Sequence, residues 1–193
     1  MTDPFDPARR RRNRVLLLAL VGIFIGSFVL AGVLRFSGWR PEGMRNKGEL
    51  LQTPSDLRAV PVLLADGTRY AWNPVQRQWR ILVAAPADCG QPCSTLGSQL
   101  DTVWQLFGKD ADQVDVLWIG TPPDSARGIA TLKPLRGTPE LLAGLPVAAA
   151  TPADRTLPRV YVIDPNGFVI LRYPAGFDPA DLRSDVARLL KLR

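Results

Sequence analysis

Trp79 to Phe107 reads "WRILVAAPADCGQPCSTLGSQLDTVWQLF". The first seven residues, "WRILVAA", form a short apolar run of the kind that makes a buried strand. The closing part places Leu96, Leu100, Val103, Trp104 and Phe107 at i, i+4, i+7, i+8 and i+11, one face of a helix, which Gly108 ends. Between the two lie Cys89 and Cys93, the only cysteines of the chain. A second apolar run, "VDVLWIG" (Val114 to Gly120), follows the helix. Strand, helix, strand predicts a right-handed crossover and a parallel strand pair.

Working outward, "VLLADGTRYAW" (Val62 to Trp72) carries a central Asp66-Gly67, a strong short-range hairpin signal. "PRVYVIDPNGFVILRY" (Pro158 to Tyr173) reads as two strands joined by Asp164-Pro165-Asn166-Gly167, hence an antiparallel hairpin. A last helix starts with Asp178 as N-cap and Pro179 in its first turn, and buries Leu182, Val186, Leu189 and Leu190. The Pro-, Ala- and Gly-rich stretch from Thr121 to Thr156 shows only a short helix near Glu140. The order of elements predicts an α/β domain: a mixed sheet flanked by helices.

Val15 to Leu34, "VLLLALVGIFIGSFVLAGVL", has no charge over its whole length. At about 1.5 Å per residue it reaches roughly 30 Å, the thickness of a bilayer's hydrocarbon core. A cleaved signal sequence has a shorter apolar region, about 7–15 residues, so a membrane anchor is the better reading. Of the formal net charge of +6, half sits in residues 1–14, which hold five Arg and two Asp. "RRRRNR" directly before the span is denser in charge than Arg35, Arg40, Arg45 and Lys47 after it, which places the N-terminus in the cytoplasm. The expected organisation is a basic cytoplasmic tail (1–14), a transmembrane helix (15–34), a Gly-, Pro- and charge-rich linker (35–56) and an extracytoplasmic domain (57–193).

Beyond the tail the charge balance is ordinary, without the basic face of a nucleic-acid binder. The chain contains no histidine, which removes Ser-His-Asp and Cys-His catalysis and histidine-ligated metal or haem. Chemistry therefore centres on Cys89 and Cys93. Residues four apart in helical geometry have Cα atoms about 6 Å apart, within the roughly 4.4–6.8 Å a disulfide tolerates. At a helix start, free backbone N–H groups favour a thiolate. Two thiolates also suit Cu(I), and a plain disulfide suits an exported domain. Spacing alone leaves a redox centre, a metal site and an inert staple open.

The β-α-β unit with cysteines at its helix, followed by a hairpin and a last helix, resembles the thioredoxin superfamily. "CGQPC" is similar to thioredoxin's Cys-Gly-Pro-Cys with one residue inserted before Pro92. "LPRVYVIDPNG" resembles the segment where that superfamily carries a cis-proline facing the cysteines, which implies that role for Pro158. Cys-x3-Cys on a singly anchored thioredoxin-like domain also resembles the Sco/SenC proteins, which help build the copper centre of cytochrome c oxidase. "GWRPEGMRNKGELL" looks like small anchored proteins that accompany bacterial cytochrome oxidase, over roughly Trp39 to the C-terminus. The resemblance implies an inner-membrane protein with a periplasmic domain, whose partner is an oxidase subunit or assembly factor.

One departure limits it. The resemblance implies a histidine copper ligand at the position of Thr156, and none is present; Met44 is the only soft ligand left besides the initiator. The expected site is thus Cys89, Cys93 and Pro158, with no cofactor and no metal assigned. The leading reading is thiol–disulfide exchange, in which Cys89, expected to be the more exposed, attacks and Cys93 resolves. A Cu(I) carrier without a histidine ligand and a non-catalytic oxidase-associated scaffold are the alternatives.

Overall fold

The computed structural model describes residues 7–37, 46–147 and 156–191. The first six residues, linker residues 38–45 with Met44, and residues 148–155 lie outside this set. The chain divides into two compact units, Met1–Arg45 and Asn46–Arg193.

The first unit contains helix α1 (Pro7–Phe36). Its stretch Arg10–Phe36 is long and apolar enough to cross a membrane. Its apolar side chains are exposed along the helix, and Phe24 and Phe28 are in ring contact, with centroids 5.2 Å apart. An all-apolar surface on a helix of this length needs lipid or protein to cover it.

The second unit is built on a six-stranded mixed sheet in the order β1-β6-β5-β2-β3-β4. The strands are β1 (Glu49–Asp56), β2 (Trp79–Ala84), β3 (Val114–Ile119), β4 (Leu132–Leu135), β5 (Arg159–Ile163) and β6 (Phe168–Tyr173). Strands β2, β3 and β4 run parallel, whereas β5 and β6 run antiparallel, with β1 antiparallel at the edge. The β2–β3 crossover passes through α2 (Gly90–Gln105), and the chain continues through α3 (Pro139–Ala143) to α4 (Pro179–Leu189).

The pleat sorts the strand side chains into two cores. Ile81, Val83, Val116, Trp118, Val160 and Val162 face α2 and α4. Leu82, Leu117, Ile119, Tyr161 and Ile163 face Leu57, Val62, Tyr70 and Leu141 on the other side. Both faces are covered, which is why β2 and β3 read as continuous apolar runs.

Local signals account for the boundaries. In the β5–β6 turn, the Asp164 carboxylate accepts from the N–H groups of Asn166 (2.9 Å) and Phe168 (2.8 Å). Gly167 takes a φ of +98°, with Trp72 against the position a side chain would need. Asp178 caps α4 by accepting from the Ala180 N–H at 2.9 Å, and Pro179 occupies the first turn. The Asp66-Gly67 turn also forms, with the Leu64 N–H donating to the Thr68 carbonyl at 2.8 Å. Its arms make single bridges, Leu63 to Arg69 and Leu64 to Leu135, and do not grow into a two-stranded ribbon.

Two features depart from the sequence reading. Residues 49–56, expected to be linker, form β1. Only Glu49, Leu50, Ser55 and Asp56 pair with β6, and the register shifts between Leu50 and Ser55. Pro54 and the mostly exposed side chains gave this segment no strand period of its own. β4, at the other edge, is short and carries Pro134, so it lacked a legible pattern too.

A buried carboxylate fastens the start of this unit. Asp185 on α4, 3% exposed, accepts from the N–H groups of Lys47 (2.8 Å) and Gly48 (2.8 Å) and from the Tyr173 hydroxyl (2.8 Å). Burial, and then the carboxylate beside it, push the Tyr173 phenol well above its ordinary value. Removing Asp185 leaves three donors without their acceptor. Asp185→Ala is expected to cost about 3 kcal/mol, read as the fall in denaturant midpoint of the full chain in detergent.

At the β1 edge, Arg172 donates to both Glu49 oxygens, at 2.6 and 2.5 Å. That hydrogen bonding, aided by the guanidinium charge, holds the Glu49 carboxyl below its ordinary 4.5. A carboxylate with a depressed folded pKa contributes stability that is present above its unfolded value and lost as pH falls through the folded one. Amide-exchange protection at Glu49 and Leu50 is therefore expected to decline as pH drops below 4.5, and Glu49→Gln is expected to remove that decline.

Candidate redox site

Strand β2 leads through Pro86, Ala87 and Asp88 to Cys89, which occupies the N-cap of α2. Gly90 takes a φ of +51° with open space around the position of a side chain, so this position calls for glycine through its backbone alone. Cys93 sits one turn in. The two cysteines form a disulfide, with Cα atoms 5.5 Å apart, close to the helical spacing derived from sequence.

No side chain caps α2, and its first turn holds no acidic residue. Pro92 lacks an N–H, so the N–H groups of Cys89, Gly90 and Gln91 are the open donors at this end. Asp88 is exposed. The positive end of the helix is thus the feature that would favour a Cys89 thiolate.

Cys89 and Cys93 are both 7% exposed and pack in the core on the α2 and α4 side. The expectation that Cys89 would be the more exposed of the two is corrected. The helix start is folded down onto the sheet, so both sulfur-bearing side chains are covered.

A hollow of about 470 Å³ opens along the first turns of α2, walled by Gln91 and Pro92 from between the two cysteines, though neither cysteine itself lines it. Its walls include Gln91, Pro92 and Thr95 on α2, Leu157 and Pro158 before β5, and Phe177 before α4. None of the residues lining it is charged. Pro158 therefore shares a hollow with Pro92, the residue between Gln91 and Cys93. The cis geometry implied for Pro158 is not found: no peptide bond among the described residues is cis. A Leu–Pro bond has a modest intrinsic preference for trans, and Pro158 reaches the hollow in that form.

Two contacts hold the walls. Gly97 lets α2 approach the turn after β3, where a side chain would meet Ser125 and Pro123. There the Ser125 hydroxyl donates to the Ser94 carbonyl at 2.7 Å. Phe177 packs in a tilted ring contact against Tyr173, centroids 4.9 Å apart, and the Tyr173 hydroxyl donates to Asp185. Phe177 carried no signal in sequence, because it lies between the β6 strand pattern and the Asp178 cap.

Thr156, the position of the histidine ligand implied by the Sco resemblance, is exposed. Among the described residues, no group of three or more His, Cys, Asp or Glu side chains gathers where it could hold a metal ion.

Residues 79–193 match the family described as transmembrane-like, thioredoxin-like, C-terminal domain, and the chain belongs to it. A comparison with curated proteins gave no match. Among solved structures, the fold is similar to BsSco, described as a member of the Sco family of cytochrome c oxidase assembly proteins. That likeness has a TM-score of 0.51 at 12% identity, over 76% of this chain and 98% of that one. A thiol:disulfide interchange protein from Bacteroides sp. gives a TM-score of 0.50 at 14% identity, covering 73% and 91%. Arabidopsis thaliana ScoI with copper bound gives 0.48 at 15%, covering 73% and 98%. At these identities the likeness establishes a thioredoxin-like fold.

The Cys89–Cys93 bond closes a loop of only a few residues, and chain-entropy models assign such a loop no more than about 2 kcal/mol. Reduction is expected to leave the domain folded and to lower its melting temperature by less than about 8 °C, measured by circular dichroism on the full chain in detergent. Unfolding on reduction would make the bond a structural staple.

Proposed function

We propose that this chain is a membrane-anchored thiol–disulfide exchange protein whose working groups are Cys89 and Cys93, with Pro158 in the wall that receives the partner. The observation that carries the reading is a disulfide at the N-cap of α2 whose intervening residues Gln91 and Pro92 wall an uncharged hollow shared with Pro158. The thioredoxin-like family supports it.

In the reducing direction, the Cys89 thiolate attacks one sulfur of a partner disulfide. A mixed disulfide forms and the partner's other sulfur leaves as thiolate. The Cys93 thiolate then attacks Cys89 Sγ, releasing the partner's second thiolate and leaving Cys89–Cys93 oxidised. Two electrons pass from the pair to the partner, and the reverse sequence oxidises a dithiol. Cys89 is assigned the attack because it holds the N-cap position, at the positive end of α2.

The anchor and its basic flank support a single-pass arrangement with a cytoplasmic N-terminus and a periplasmic domain at the bacterial inner membrane. On that topology residues 1–14 are the cytoplasmic tail, 15–34 the span and 46–193, which include the edge strand β1, the exported domain. The description of BsSco, together with the sequence resemblance to oxidase-associated proteins, supports an oxidase subunit or assembly factor as partner.

The test is a glutathione redox titration of the full chain in detergent, read by thiol alkylation, with and without Cu(I). The expected result is a reversible two-electron couple well above the roughly −300 mV typical of structural disulfides. A pair that stays oxidised in strongly reducing buffer overturns the proposal. One Cu(I) bound per chain and lost in Cys89→Ser moves the assignment to copper carriage. Full support of oxidase assembly by the double Cys→Ala variant moves it to a scaffold.

A further inference from the structure

A second group of polar side chains lies on the sheet face away from α2, at the opposite end of β2 from the cysteines. Arg80 is the second residue of β2 and Asp115 the second of β3, and the two are partners in the parallel register. They are 1% and 3% exposed.

The Arg80 guanidinium is held in place on several sides. Its Nε donates to the Tyr70 hydroxyl at 2.8 Å, and its Nη1 donates to the carbonyls of Asp164 and Pro165, both at 3.0 Å. The rings of Trp72 and Tyr70 lie 5.1 and 5.6 Å from it. Among the described residues, no carboxylate forms an ion pair with it. Asp115 is reached only through Tyr70, whose hydroxyl donates to it at 2.6 Å. The Asp115 oxygens are also engaged by Lys133 (2.6 Å) and Gln78 (3.1 Å).

A buried cation without a directly bound anion is costly, and neutral acceptors offset only part of that cost. Arg80 nonetheless borders a hollow of about 310 Å³. Arg69, Lys133, Asp115 and Gln76 also border it. Arg69 is exposed and forms no ion pair among the described residues. Three cations against one carboxylate leave this hollow with two positive charges. An adjoining hollow of about 450 Å³ shares Arg69, Tyr70 and Ala71, and is walled further by Trp72 and Asn166.

We propose that the hollow at Arg80 seats a doubly charged oxyanion of the phosphate type, as the free ion or as a monoester whose organic part occupies the adjoining hollow. The charge argues for a dianion. The pre-set guanidinium, with Arg69 and Lys133 beside it, supplies charge-assisted donors. The site is independent of the cysteine pair.

The test uses the full chain in a neutral detergent, titrated calorimetrically with sodium phosphate and, separately, with glycerol 3-phosphate. Chloride holds the ionic strength constant. Saturable one-site binding of phosphate is expected, and tighter binding of glycerol 3-phosphate identifies a monoester site. Arg69→Gln is expected to weaken binding at least tenfold, because an exposed, unpaired side chain can be replaced without harm to the fold. Arg127→Gln, an exposed arginine away from this hollow, is expected to bind as the parent does. Absence of saturation above the chloride background, or equal affinity in Arg69→Gln and the parent, overturns the proposal.

Discussion

Strand β3 is buried over all six of its residues, and that one condition shapes most of the domain. A strand covered on both sides needs a layer of structure on each face of the sheet, since neither face can be left to water. On one face the cover is α2 and α4, which contact each other as well as the sheet. On the other it is made of shorter pieces: the Asp66-Gly67 turn, Leu57 and the five-residue helix α3. The disulfide sits under the helical layer, while the charged cluster sits under the irregular one.

The helical layer explains how the cysteines are presented. α2 must leave the C-terminal end of β2, turn sharply and lie back over the sheet, so its N-terminus is pinned beside the segment that begins β5. Gly90 permits the turn and Gly97 permits the close approach behind it. The result is a covered disulfide, with an uncharged hollow between α2, Pro158 and Phe177 walled by Gln91 and Pro92 from the loop it closes. Phe177 in turn leans on Tyr173, and Tyr173 on Asp185, the residue that also fastens Lys47 and Gly48. The first residues of the second unit and the wall of the hollow therefore share one buried carboxylate.

Much of the candidate site was legible in the residues themselves. The positions of Cys89 and Cys93 followed from a strand pattern before them and a helical period after them. The nearness of Pro158 came from resemblance to a family, and its trans form departed from what that resemblance implied. Arg80 and Asp115 had a readable signal that passed unused. A charge inside an otherwise continuous apolar run, as in "WRILVAA" and "VDVLWIG", marks a buried ion that must find partners. Their pairing across the parallel register was not readable, because register depends on how two distant strands align.

By itself the sequence determined the elements whose signals are local: the uncharged membrane-length helix, the β2-α2-β3 crossover, the Asp164–Gly167 hairpin, the capped α4 and the cysteines at a helix start. Hydrophobic period, turn chemistry and capping act over a few residues, so a short window holds the whole signal. Tertiary structure alone decided that residues 49–56 complete the sheet and that β4 closes its other edge. It also brought Phe177 and Pro158 to one hollow and covered both cysteines equally. It left a buried arginine, in no ion pair among the described residues, bordering a hollow with more cations than carboxylates. Each of these depends on contacts between residues far apart in the chain, where partner and register are set by packing and not by any local pattern.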